Sequence, residues 1–260
     1  MDSEIYLDRN TAVHRLDPRT KIALMVFCFV VPAYYQNPLW VVPVAVLVLL
    51  HGLFSRSLGN LRRMRYLMII LGVSSFVLWN LFTKGETRLF GFVYQESLAF
   101  SVGRTIMMLT MIAAGMIFLS TTRNEEFVTG LIRLGLPYRV GFAISTALRM
   151  VPTIIGSVWM VVEAQKSRGH DLDAGGLVQR IRNHIPLLIP VFVSAMRNTH
   201  TFSMALESKA FGAHRTRTYW LDPRLKLADY VVLGLTLVLL AAATGLRIAG
   251  YGRIAGLKEF

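Results

Sequence analysis

The sequence has a single cysteine and carries no motif of a common enzyme or nucleotide-binding protein. Cys28 cannot form a disulfide within the chain, so nothing indicates an oxidising compartment. The phosphate-binding pattern Gly-x-x-x-x-Gly-Lys-Ser/Thr is absent, as are His-Glu-x-x-His and Gly-x-Ser-x-Gly. These absences argue against P-loop ATPases, zinc peptidases and serine hydrolases. We therefore expect a non-catalytic chain with no catalytic, cofactor-binding or metal-binding residues of its own.

Charged residues are scarce, and most of them are basic. The 260 residues include 28 Lys+Arg and 15 Asp+Glu, 54% are hydrophobic, and the mean hydropathy is +0.50. Soluble domains are about 45–50% apolar even with glycine counted, so we predict an all-α integral membrane protein. The basic residues interrupt apolar runs instead of forming one patch with interleaved aromatics, which disfavours nucleic-acid binding and favours contact with membrane lipid. The acidic start, with Asp2, Glu4 and Asp8, predicts no cleavable signal peptide.

Uncharged runs predict about five transmembrane helices. The long run from 22 to 55 has Pro32, Gln36, Asn37 and Pro38 near its middle, which indicates a helical hairpin. The predicted spans are residues 20–35, 39–55, 66–83, 105–122 and 230–246. Residues 84–97 are expected to form an external loop or interfacial turn. The arginines after the second span place that loop and the N-terminus in the cytoplasm, although the same topology leaves Arg247 outside, against the positive-inside rule.

The region before the last span is more polar and predicts three further helices. The first is capped by Thr122 or Asn124, the second runs from 138 to 168, and the third runs from about 185 to 209, broken early by Pro186 and Pro190. The second and third could cross the membrane, but we favour amphipathic helices at its inner face because their uncharged cores are short. We therefore divide the chain into segments 1–122 (membrane helices), 123–219 (cytoplasmic helices) and 220–260 (last span and tail).

Two of these helices end in similar basic tips. The second predicted helix ends in Ser167-Arg168-Gly169, and the third ends in Ser208-Lys209-Ala210. A cation and a small residue at a helix C-terminus are also typical of an ordinary C-cap. The occurrence of two such tips favours two similar docking sites.

One phrase of eight residues also occurs twice. Residues 16–23 and 221–228 differ only at the pairs Thr20/Leu225 and Ile22/Leu227. Each copy precedes a predicted span, so we expect a membrane entrance in which Asp caps the helix, Pro occupies its first position, and Arg and Lys reach lipid phosphates. The residues concerned are Asp17, Pro18, Arg19 and Lys21 in the first copy, and Asp222, Pro223, Arg224 and Lys226 in the second.

With these features in view, the sequence resembles the transmembrane (T) subunit of energy-coupling factor (ECF) transporters, the EcfT/CbiQ family. The resemblance rests on residues 14–21, residues 148–152 and the two tips. It implies coupling helices that end in Ala-Arg-Gly-like motifs and dock into two ATPase subunits, identical or different, which bind ATP and Mg. It also implies a substrate-binding membrane (S) subunit and uptake of a vitamin or a transition-metal ion such as cobalt across a bacterial or archaeal cytoplasmic membrane. The second tip departs from that motif at all three positions.

The residues also allow two other classes of function. A self-contained multi-pass transporter or channel would place ionisable residues within its spans, and the uncharged runs contain none. An intramembrane enzyme could use His14, Asp17 and Asp222, but their spacing fits no catalytic pattern. His170 with Asp171 and Asp173 could suggest a metal site, although a polar turn after a helix is the simpler interpretation.

Overall fold

The computed structural model describes residues 11–83, 85, 87–90, 93–172, 174–213, 225–252 and 254. These residues form nine helices and one short β-hairpin. The elements in chain order are α1 (Pro18–Tyr34), α2 (Pro38–Phe54), α3 (Leu58–Arg63), α4 (Arg65–Phe82), β1 (Arg88–Phe90), β2 (Val93–Tyr94), α5 (Gln95–Thr121), α6 (Asn124–Arg133), α7 (Tyr138–Ser167), α8 (Leu177–Ser208) and α9 (Leu227–Ile248). The chain divides into two compact units, residues 1–136 with 223–260, and residues 137–222.

Helix length and composition confirm the predicted fold class, an all-α multi-pass membrane protein. Within the described residues, α4, α5, α7 and α9 are long and apolar enough to cross a membrane, and α2 is a shorter apolar helix. Helices suit this setting because they pair their backbone polar groups internally. α7 meets the length and hydropathy requirement although we favoured a surface position for it, so its location relative to the membrane stays a prediction.

The first unit is built around α5, which packs against α1, α2 and α4. Its core contains Cys28 and Val31 of α1, Val41 and Val48 of α2, and Ile117 of α5, all at most 3% exposed. Gly52 permits a close approach of α2 to α5, since a Cβ there would lie 3.0 Å from Ile117 Cδ1. α1 also packs on α6 and α9, so the first and last helices of the chain are in contact.

The second unit is an antiparallel pair of long helices. Phe142, near the start of α7, packs against Phe211 just beyond α8 with 4.3 Å between ring centroids. At the other end, the link after α7 contacts Asn183 in the first turns of α8. The start of each helix therefore lies beside the end of the other.

Several element boundaries differ from the sequence prediction. α8 begins at Leu177 and continues through Pro186 and Pro190, so the predicted early break is wrong. α5 begins at Gln95, before the uncharged run. α6, the first helix of the region predicted to be cytoplasmic, has Arg123 at its N-cap and no side-chain cap bond, instead of the cap predicted at Thr122 or Asn124. The helix α3 and the hairpin β1–β2 were not predicted.

Candidate docking and anchoring sites

The first predicted tip forms a tight turn at the end of α7. Arg168 is the C-cap residue, and Gly169 follows it with φ +81°. The Gly169 N–H donates to Lys166 O at 3.0 Å, and the His170 N–H donates to Gln165 O at 3.1 Å. These two bonds define a Schellman motif, which satisfies carbonyls that the helix end leaves unpaired.

The second tip has the same backbone geometry at the end of α8. Lys209 is the C-cap residue, and Ala210 follows it with φ +52°. The Ala210 N–H donates to Glu207 O at 2.9 Å, and the Phe211 N–H donates to Leu206 O at 3.0 Å. The two tips are therefore structurally equivalent turns, and each places one cation at the C-cap.

The tips differ in their backbone strain. A glycine adopts the left-handed conformation without steric cost, whereas a residue with a Cβ loses about 1 kcal/mol or more there. Gly169 therefore adopts its positive φ without strain, whereas Ala210 is strained at its positive φ. The second tip thus keeps its shape against a local penalty.

The side chains of both tips face outward. Ser167, Arg168, Gly169, Ser208, Lys209 and Ala210 are all exposed. Ser167 Oγ donates to Glu163 O at 2.9 Å, and Ser208 Oγ donates to Ala205 O at 3.0 Å, so both serines bond back to their own helix. Among the described residues, Arg168 and Lys209 form no ion pair or side-chain hydrogen bond. Because α7 has 30 residues and the pair is antiparallel, the tips lie roughly 45 Å apart along the helix pair.

The link after the first tip is held against α8. His170 Nε2 lies 3.1 Å from Asn183 O, and Asn183 Nδ2 donates to Asp171 O at 3.1 Å. Leu172 is buried and helps to line a small cleft between the two helices. No group of three or more potential metal-ligating residues occurs in the described part of the chain, and Asp173 lies outside it. The contact of His170 with the Asn183 carbonyl makes His170 part of a polar turn.

In the first copy of the repeated phrase, Asp17 caps α1 as predicted. Asp17 Oδ1 accepts from Arg19 N–H at 2.9 Å, and Pro18 occupies the first helical position. Pro18 also touches α6, since a Cβ at Gly130 would lie 2.9 Å from Pro18 Cβ. The Arg19 side chain is half-buried, with Nε enclosed and without a hydrogen-bond partner. The prediction of a capped helix start is confirmed for this copy.

Lys21 has a different role from the one predicted. Its side chain is buried, and its Nζ donates to His14 O at 3.0 Å, to Thr121 O at 2.9 Å and to Glu126 Oε2 at 3.1 Å. The ammonium therefore has all three of its donors occupied within the protein. The expectation that Lys21 reaches lipid phosphates is wrong, because the lysine instead joins α1 to the end of α5 and to α6.

The second copy of the repeated phrase has a different position relative to the start of its helix. Lys226 is the N-cap of α9, which begins four positions later in the phrase than α1 does, at Leu227 instead of the proline. The equivalent lysine, Lys21, lies inside the first turn of α1. Asp222, Pro223 and Arg224 lie outside the described residues, so their predicted role stays a prediction.

The residue that joins the two helix starts is Asp229, which the sequence analysis did not single out. It is 1% exposed, and its carboxylate accepts from Asp17 N–H at 2.8 Å, Thr20 Oγ1 at 3.2 Å and Lys226 N–H at 2.8 Å. An acidic residue three positions into a helix is one known capping signal. Its contact with Asp17, which lies 212 residues away, could not be inferred from that signal. We call Asp17, Thr20, Lys21 and Asp229, with their partners, the anchoring junction.

Together, these features define a multi-pass membrane protein in which some cations are bonded internally and two others are exposed at helix ends. The family CbiQ, described as "Cobalt transport protein", matches residues 9–220. The chain belongs to this family, as its sequence resemblance indicated.

Curated relatives agree with the family assignment over nearly the full chain. A protein of Thermanaerovibrio acidaminovorans is 32% identical over 91% of this chain and 92% of its own length. One of Thermosediminibacter oceani is 30% identical over 90% and 94%, and one of Ruminiclostridium cellulolyticum is 27% identical over 90% and 92%. All three are named "Energy-coupling factor transporter transmembrane protein EcfT".

Proposed function

We propose that this chain is the coupling subunit of an energy-coupling factor importer, which transmits the ATP-driven motion of two ATPase subunits to a substrate-binding membrane subunit. The observation that carries the proposal is the pair of equivalent, exposed, basic turns at opposite ends of α7 and α8. Family membership and the names of the relatives support the same assignment.

The two tips are suited to bind acidic grooves on separate partners. Each presents one long cation from a turn whose backbone is fixed by two hydrogen bonds. A fixed turn loses less conformational entropy on binding than a flexible loop. A charge-assisted hydrogen bond from each cation to a carboxylate would then resist sliding at the contact. Arg168 offers a planar fork for two-point binding, and Lys209 offers a point charge, so the first tip should bind its carboxylate more strongly.

The helix pair is suited to carry motion between the tips. Packing of Phe142 on Phe211 fixes one end, and the bonds of Asn183 fix the other. When ATP draws the ATPases together, the anchored tips must move with them, and α7 and α8 would change their mutual arrangement. This motion couples ATP to transport only if nucleotide changes the relative free energy of two helix arrangements. That change would then be passed to the substrate-binding subunit and reorient it.

The remaining roles follow from the same assignment. The chain is non-catalytic, and ATP and Mg are bound by the ATPase partners. The arginine-rich connection between α2 and α4 favours a cytoplasmic position for that loop and for the N-terminus. α7 and α8 lie along the cytoplasmic face of the inner membrane, where the tips can reach soluble domains. The substrate is a vitamin or a transition-metal ion, and the substrate-binding subunit selects it.

The test is charge reversal at the tips. We expect Arg168→Glu to reduce co-purification of the ATPases with the membrane subunit by about tenfold, the loss of one charge-assisted bond with added repulsion. Uptake into proteoliposomes should fall at least as much. Lys209→Glu should also reduce co-purification and uptake, but by a smaller factor.

Arg197→Glu is the matched control, because Arg197 is an exposed arginine in the middle of α8. It should retain the ATPases at the wild-type level. Wild-type assembly together with wild-type uptake in Arg168→Glu would remove this tip from the mechanism.

A further inference from the structure

Two arginines lie at one end of the first unit, the end at which the α1–α2 turn is found. The Gly252 carbonyl, just beyond α9, accepts from Gln36 N–H at 3.0 Å and Asn37 N–H at 3.2 Å. On α5, Gly103 abuts the same turn, since a Cβ there would collide with the Gln36 carbonyl. Arg104 follows Gly103 on α5, and Arg247 lies in the last turn of α9, five positions before Gly252, so these contacts place both arginines at the same end of the first unit.

Neither guanidinium has an anionic partner in the described part of the chain. Arg104 stacks near Phe100 and Trp79, at 5.0 Å and 5.8 Å from their ring centroids, and its Nη1 donates to Met107 Sδ at 3.4 Å. Aromatic faces and a thioether partly compensate a charge, but they are weak hydrogen-bond acceptors. Arg104 Nε and Arg247 Nη1 are enclosed and have no hydrogen-bond partner.

Such an arrangement is costly without a ligand. An enclosed N–H group without an acceptor is destabilising, and more so when it belongs to a charged group. Two like charges held together add repulsion. The ion pair between Lys21, near the start of α1, and Glu126 of α6 lies at the opposite end of α1 from the α1–α2 turn, so it does not offset these charges.

We propose that Arg104 and Arg247 together bind one phosphate group, supplied by the headgroup of a phospholipid. Guanidinium groups match phosphate oxygens through paired N–H donors, and one phosphate bridging both arginines would satisfy the enclosed donors and cancel the repulsion. This inference is independent of the proposed coupling function.

The surroundings favour a lipid as the source of the phosphate. Tyr35 stacks on Trp40 with 5.5 Å between ring centroids, and Trp40 lies 6.1 Å from Tyr251. Clusters of Trp and Tyr are typical of the level of lipid headgroups. A phosphate site beside this cluster therefore lies where phospholipid headgroups are abundant.

The experiment is native mass spectrometry of the assembled transporter in mild detergent. The probes are phosphatidylglycerol, diacylglycerol with the same acyl chains, and inorganic phosphate. We expect wild-type protein to retain phosphatidylglycerol about tenfold better than diacylglycerol, because the latter lacks the phosphate. In Arg104→Gln with Arg247→Gln, that preference should be lost. Arg62→Gln with Arg63→Gln, at two exposed arginines of α3, is the charge-matched control and should keep it.

The probes also distinguish the source of the phosphate. If inorganic phosphate raises the thermal midpoint of the wild type and displaces phosphatidylglycerol, the site stands and free phosphate is a ligand. Equal retention of phosphatidylglycerol and diacylglycerol by the wild type, or unchanged preference in the double variant, would overturn the site. The wild-type comparison needs no variant, so misfolding of the double variant cannot leave the proposal untested.

A further readout separates binding from a structural role. In lipid-free and phosphate-free detergent, Arg247→Gln removes the repulsion, so its thermal midpoint should equal or exceed that of the wild type. Addition of phosphatidylglycerol should then stabilise the wild type and not the variant. A variant destabilised to the same extent with and without lipid would overturn the proposal.

Discussion

The anchoring junction and the two tips use the same residue types in opposite ways. At the junction, Lys21 is buried and donates to two carbonyls and one carboxylate. At the tips, Arg168 and Lys209 are exposed and have no partner within the described residues. The first arrangement binds helices that are distant in sequence, whereas the second leaves a cation available to another molecule. A basic residue next to a helix end therefore does not reveal its role until its surroundings are known.

The sharpest test of this contrast is Asp229→Ala. The substitution removes the acceptor of three hydrogen bonds and leaves the enclosed N–H of Asp17 without a partner. We expect a loss of about 3 kcal/mol in the free energy of unfolding, measured by chemical denaturation in detergent. Asp229→Asn keeps one carbonyl acceptor and should lose less. Glu163→Ala, at an exposed position of α7, is the control and should stay near wild type. A stability equal to wild type in Asp229→Ala would show that the junction does not hold α1 to α9.

Lys21→Met should have the next largest effect. Methionine fills similar space but leaves the His14 and Thr121 carbonyls without their donor, while Glu126, which is 31% exposed, can regain water. We expect a loss of about 2 kcal/mol by the same measurement. Binding of the ATPases by the folded fraction should be unchanged. If Lys21→Met released the ATPases and left stability intact, Lys21 would belong with the tips.

Ala210→Gly should have the smallest effect and the opposite sign. The backbone at this position has φ +52°, which glycine adopts without strain. We expect the second tip to gain up to about 1 kcal/mol, measured as slower amide hydrogen exchange of Ala210 and Phe211. Gly169→Ala is the mirror control, since open space surrounds that position and only its φ of +81° opposes a Cβ. It should accelerate exchange at the first tip. Equal exchange in both variants and the wild type would mean that the two turns are not held as described.

Much of the fold follows from uncharged runs in the sequence. α1, α2, α4 and α9 lie within a few residues of their predicted bounds because each is apolar along most of its length and ends at polar residues. α5 was placed too short because Glu96 and Arg104 interrupt its apolar pattern although its backbone continues as a helix. α8 was placed too short because prolines 186 and 190 suggest a break, whereas the helix continues through both.

The sites were predicted less completely, for a physical reason. Both tips could be located because a cation and a small residue end each helix, a local signal. The role of Asp229 and the placement of Arg104 and Arg247 at one end of the first unit depend on contacts between residues far apart in the chain. Such contacts leave no periodic or local pattern. For the same reason, the role of Lys21 could not be distinguished from that of Lys209 until their neighbours were known.

The central claim is that two separate ATPase subunits hold the two tips. Photo-crosslinking amino acids at positions 167 and 208, introduced one at a time into the assembled transporter, test it most directly because both serines are exposed beside the tip cations. We predict that each position crosslinks to an ATPase chain, that the two positions report separate copies, and that position 197 gives no such product. Crosslinks from both tips only to lipid or to the substrate-binding subunit would contradict the account.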